Sequence, residues 1–93
     1  MPQYFIRLLN AAFESRDSGA EYERPEAALD AGIRCAAEIV ADEIVEGRQT
    51  AAAQVCIEDE KGEVVMRSVV SLSASPLWVS PDIVRGAQDR PHP

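Results

Sequence analysis

Histidine occurs once in this sequence, at position 92, between two prolines near the end. A catalytic base needs a rigid neighbourhood, and a proline-flanked terminus does not supply one. Ser–His and Cys–His catalysis within one chain are thereby excluded, as is any histidine-rich metal site. Cysteine occurs twice, at Cys35 and Cys56. Two are too few for a disulfide framework and lack metal-ligand spacing, so they read as free thiols of a reducing compartment. Gly19, Gly32, Gly47, Gly62 and Gly86 form no phosphate-cradling loop. The longest apolar run, Tyr4 to Leu9, is interrupted by Arg7 and is far too short to span a bilayer. The start has neither a basic n-region nor a long apolar h-region, which makes the cytoplasm the expected location. Basic charge is scarce too: nine Lys and Arg face sixteen Asp and Glu, a net charge of −7. That balance weighs against phosphate-driven nucleic-acid binding and against docking to an anionic membrane. No catalytic residue, cofactor or metal ligand is expected.

Acid is what the chain does have, and it is unevenly placed. Fourteen of the sixteen acidic side chains lie between Glu14 and Glu63. Glu58, Asp59, Glu60 and Glu63 cluster at one turn, and Asp42, Glu43 and Glu46 crowd the end of a helical stretch. Neither follows the spacing of a calcium loop, and both read as solvated faces. The length fits one domain, expected over residues 1–75, followed by a Pro-rich tail over 76–93. A domain of this size buries only roughly 60–65% of its unfolded surface. Dimerisation is a common remedy.

Pro25 to Gly47 reads as one long amphipathic helix. Leu29, Ile33, Ala36, Ala37, Val40 and Ile44 recur at helical spacing and form the expected buried face. Pro25 suits the first helical position, and Gly47 the left-handed position just past the end. At 1.5 Å per residue the helix spans about 34 Å, longer than the expected strands. A second stripe, Ala28, Gly32, Cys35 and Ile39, runs beside the apolar face. Gly32 costs the helix about 1 kcal/mol relative to alanine, which suggests a close backbone approach there. Either small residues simply tolerate a half-exposed flank, or the stripe meets a helix or subunit.

The rest reads as strands. In Pro2 to Asn10, Tyr4, Ile6 and Leu8 alternate onto one face, with Phe5, Arg7 and Leu9 on the other. A turn at Asn10–Ala12 leads to a weakly written second strand from Phe13 to about Asp17, broken by Ser18–Gly19. After the helix, Ala51 to Glu58 presents Ala53, Val55 and Ile57 to the core and Gln54, Cys56 and Glu58 away from it. Asp59-Glu60-Lys61-Gly62 is a hairpin turn. In the last strand, Glu63 to about Ser73, Val64, Met66, Val70 and Leu72 are in phase, and Val65, Arg67 and Val69 oppose them. Pro76, Pro81, Pro91 and Pro93 preclude regular ladders beyond, and 80–93 reads as a mobile tail. Leu77-Trp78-Val79 interrupts that reading as an apolar segment suited to docking.

Certain of these residues carry a resemblance. Pro2, Tyr4 and Phe5, then Gly19, Tyr22 and the helix around Ala28, then the acidic hairpin Glu58-Asp59-Glu60-Lys61-Gly62 resemble a large uncharacterised group of short bacterial proteins, a domain of unknown function. The resemblance covers about residues 2–73. Ile6 stands where the family has a second phenylalanine, and Arg16 and Arg24 stand where it has turn and cap aspartates. Such motifs are structural and imply a fold, with no activity, cofactor or catalytic residue attached.

The expected architecture is therefore α+β in two layers, β-β-α-β-β, with one long helix on a four-stranded, mainly antiparallel sheet. One sheet face would stay open and present Phe5, Leu9, Cys56, Val65 and Val69 among Arg7, Gln54, Glu58 and Arg67. The expected function is a small non-enzymatic, homodimeric protein-interaction module whose partner is itself or another protein. Its candidate surface comprises the helix flank Ala28, Gly32, Cys35 and Ile39, the sheet residues Phe5, Leu9, Val65 and Val69, and Leu77, Trp78 and Val79. The alternative is a small-molecule or metal-ion binder, or an enzyme, with a site assembled at an oligomer interface.

Overall fold

The computed structural model of the protein describes residues 1–77. Six elements follow one another: β1 (Gln3–Leu9), β2 (Glu14–Arg16), β3 (Ala20–Glu21), α1 (Pro25–Val45), β4 (Thr50–Glu58) and β5 (Val64–Ser73). The sheet runs β2-β1-β4-β5, with the two-residue β3 also paired to β1, and every pairing is antiparallel. The helix lies across one face, so the α+β order β-β-α-β-β stands. The sheet has five strands where four were expected, because Asp17–Gly19 breaks the second strand in two.

Local chemistry explains each boundary. Asn10 closes the β1–β2 turn: its Oδ1 accepts from the N–H groups of Ala12 and Phe13 at 2.8 and 3.0 Å. Helix α1 begins on Pro25 without a side-chain cap, since Arg24 has no oxygen to offer. Its end is a complete Schellman motif. Gly47 takes φ +110° and donates to the Ile44 carbonyl, while Arg48 donates to that of Glu43. The β4–β5 hairpin is held by Asp59, whose Oδ1 accepts from Lys61 and Glu63, each at 2.9 Å, while Gly62 takes φ +82°.

The core lies between α1 and the sheet. Ile6, Leu8, Ala51, Ala53, Val55 and Ile57 fill the sheet side, as their alternation requires. Burying Ile57, Val55 and Val40, the largest fully enclosed side chains, contributes about 1.5–3 kcal/mol each. On the helix the centre of the contact is Ala28, Gly32, Ala36 and Val40. Leu29, Ile33 and Ile44 flank it half-buried, and Ala37, expected in the core, is exposed. Size sets this rotation. A methyl group on Gly32 would stand 2.5 Å from Val55 Cγ1 and 3.0 Å from Ile6 Cγ2. The small stripe is thus where the helix comes closest to its own sheet, with the bulky residues straddling the line. Ala28 and Gly32 are accordingly interior, a correction to their expected place on an interaction surface.

The helix also does not outrun the sheet. The ten residues of β5, at about 3.3 Å each, match the 21 of α1, at about 1.5 Å each. One register irregularity matters below. Ile57 pairs with Met66 but Glu58 with Val64, so Val65 is an extra, unpaired residue at a bulge in β5. Val64 therefore lies opposite Glu58, on the face away from the helix, instead of in phase with Met66.

Candidate interaction surface

The face of the sheet that the helix leaves bare has two unlike halves. Over β2, β1 and the end of β4 it is an ion cluster. The register aligns Arg16, Arg7, Cys56 and Arg67 in one row across four strands. Beside that row lies Glu58, only 6% exposed despite its charge. Its Oε1 accepts from Arg16 Nε at 2.9 Å, and its Oε2 lies 3.6 Å from Arg7 Nη1. Arg7 Nη2 donates in turn to Glu14 Oε2 at 2.6 Å. The hydrogen bond to Glu14, helped by the charges of Glu14 and Glu58, raises the Arg7 pKa above its ordinary value. Arg16 completes the cover by lying 4.2 Å above the Phe5 ring.

This arrangement corrects two expectations. Glu58 is not part of a solvated acidic face, because two guanidinium groups compensate its burial. Phe5 is not bare, because Arg16 roofs it and Gly19 packs against its ring edge. Chemically the cluster is closed. A carboxylate already accepting from arginine has no free role as a base, and the effect is to tie β2 across β1 to β4. The other turn acids have similar local duties. Asp59 caps its own turn, and Glu60 Oε1 accepts from the Gln3 N–H at 2.9 Å. Glu43, in the last helical turns, receives the Asn10 side-chain amide at 3.2 Å.

The half of the sheet over β5 is apolar and uncovered. Among the described residues seven large hydrophobic side chains are exposed, and four of them sit on β5: Val64 (40%), Val65 (43%), Val69 (62%) and Leu72 (46%). Val65 and Val69 were expected here, whereas Val64 and Leu72 were assigned to the core. The bulge accounts for Val64; Leu72 faces the helix layer but lies near the end of an edge strand. Beside β5 an open groove of about 830 Å³ runs along the start of β4, lined by Ala51, Ala52, Ala53 and Gln54 together with Leu9 and Leu72.

The remaining candidates scatter. Cys35 is exposed on the outer helix surface, and Ile39 packs half-buried against the core. Leu9 lines the groove, and Leu77 is exposed beyond the last strand. Trp78 and Val79 lie outside the described residues. The two thiols are free, Cys56 being buried in the arginine row. Among the described residues no three His, Cys, Asp or Glu side chains are grouped to hold a metal ion, and no helix is long and apolar enough to cross a membrane.

The model of one protein family matches residues 3–71, the Domain of unknown function (DUF6894). The chain belongs to this family. The match spans every strand and the helix and stops two residues before the end of β5. No curated protein and no solved structure matches the chain. Membership of DUF6894 therefore brings a fold-sized unit and no chemistry. The surface itself must carry the functional reading.

Proposed function

We propose that this DUF6894 chain is a non-enzymatic protein-interaction module that works as a homodimer, with the β5 side of its sheet as the working surface. One observation carries the reading: most of the exposed large apolar side chains of the described residues lie on one strand, while the opposite side of the same sheet is roofed by ion pairs. Large apolar side chains left exposed on one strand mark a candidate interaction site. The exposed thiol of Cys35 suits a reducing compartment, in keeping with a bacterial cytoplasmic protein. Size exclusion with light scattering tests the dimer. The reading expects twice the chain mass at micromolar concentration. A strict monomer at the highest attainable concentration, unchanged by removal of residues 76–93, contradicts it.

A second reading rests on the groove over Ala51–Ala53, which is large enough for a small ligand. Its wall on one side is β5 itself, so a second copy there would deepen it into a site shared between subunits. A thermal-shift screen of small organic acids and amines separates the readings. Stabilisation of the full chain that is lost on Ala52→Leu favours a ligand site.

A further inference from the structure

We propose that β5 pairs with β5 of a second copy, antiparallel about a two-fold axis at Val69, so that two sheets merge into one. The inference rests on the dimeric reading above and names the surface that makes the dimer. Its ground is the unequal treatment of the two sheet edges. β5 is the last strand of the order β2-β1-β4-β5, so one side of its backbone is unpaired among the described residues. Beyond the bulge at Val65 its register with β4 is regular from Met66 to Ser73, with Arg67 its only charge and no proline. A long edge with so little to blunt it is a template for another strand, and proteins that stay monomeric usually protect such an edge.

Three observations select a second copy as the occupant. The first is charge. Each chain carries −7, but none of its sixteen acids lies in β5. Two like-charged copies can therefore meet along β5 without setting carboxylates face to face there. The second is pattern. With Val69 opposite its own copy, Met66 meets Leu72, Arg67 meets Ser71, and Ser68 meets Val70. Helix-facing residues oppose helix-facing ones, the two arginines stay apart, and the segment of regular register is used while the bulge is left outside. The third is closure. The far edge is broken at Asp17–Gly19 and roofed by Arg16, so β5 finds no equal template there. Pairing stops at two copies instead of running on as a fibre.

The test uses the full chain carrying Cys35→Ser, which leaves only the buried Cys56 as a native thiol. An antiparallel pair brings opposed Cα atoms to about 4.5–5.5 Å, within disulfide range. Val69→Cys should then cross-link to a dimer under a mild oxidant, while Val45→Cys, on the exposed end of the helix, should not. Val69→Lys, a natural edge blocker that here sets two like charges together on the axis, should weaken dimerisation at least about tenfold with unchanged circular dichroism. A dimer that survives Val69→Lys and fails to cross-link at position 69 overturns the β5 pairing but leaves the homodimer standing. A strict monomer overturns both. A monomer in which the β5 amides pointing away from β4 are also protected from exchange places the chain's own 78–93 segment on the edge and also overturns the pairing.

Discussion

The two edges of this sheet solve the same problem in opposite ways. At the β2/β3 edge the strand is cut in two: the Asp17 carboxylate takes the place of a backbone carbonyl and accepts from the Ile6 and Gly19 N–H groups at 2.9 and 3.0 Å. Gly19 turns the chain at φ +89°, and Arg16 spreads over Phe5 and Glu58. Little continuous backbone is left to pair with. At the β5 edge a strand of ten residues carries one charge and four exposed apolar side chains. Among the described residues the chain invests an aspartate, a glycine and Arg16 in closing one edge and nothing comparable in the other, and the proposed β5 pairing follows from that contrast. In that proposal edge chemistry, more than the area of the open face, decides how the sheet meets a partner.

Four substitutions break or sharpen this contrast, in order of their cost to the folded monomer. Gly19→Val should cost most, about 2–4 kcal/mol in denaturant unfolding. It forces a β-branched residue to a positive φ and drives its side chain into the Phe5 ring, 2.5 Å from the position of a first added carbon. Asp17→Ala should cost about 1–3 kcal/mol, because the Ile6 N–H loses its partner. It should also open the blunted edge, seen as higher-order species in light scattering. Val69→Lys should leave monomer stability within about 0.5 kcal/mol, since the site is exposed, while weakening self-association at least about tenfold. Cys35→Ser should change neither stability, within about 0.5 kcal/mol, nor mass. A loss of dimer on that last substitution would move the interface from β5 to the helix flank.

Much of the fold is legible in the residues, and the rest, the unequal edges included, is hidden for definite reasons. The alternation of Ile6, Leu8, Ala53, Val55 and Ile57 fixes the sheet's inner face, and Gly47 and Asp59–Gly62 mark the two strongest turns. The helix face was placed slightly off because hydrophobic periodicity weights large residues, whereas the line of closest approach belongs to the smallest. Gly32 was the clue: its suspected close approach is real, but the partner is the chain's own Val55. Glu58 and Cys56 read as outward-facing by parity. Arg7 lies opposite Cys56 in the register, and Arg7 and Arg16 both reach Glu58 from other strands, a proximity that only register reveals. The bulge at Val65 was likewise invisible, because two adjacent valines give no sign of which is the extra one.

The central claim is that β5 is an open edge closed by its own copy, and hydrogen exchange across a dilution series tests it most directly. Within residues 66–72, the alternate amides that point away from β4 should be protected at high concentration and lose that protection on dilution or with Val69→Lys, while those of β2 exchange at the same rate throughout. Protection of those outward amides that ignores concentration, or a concentration dependence at β2 in their place, would contradict it.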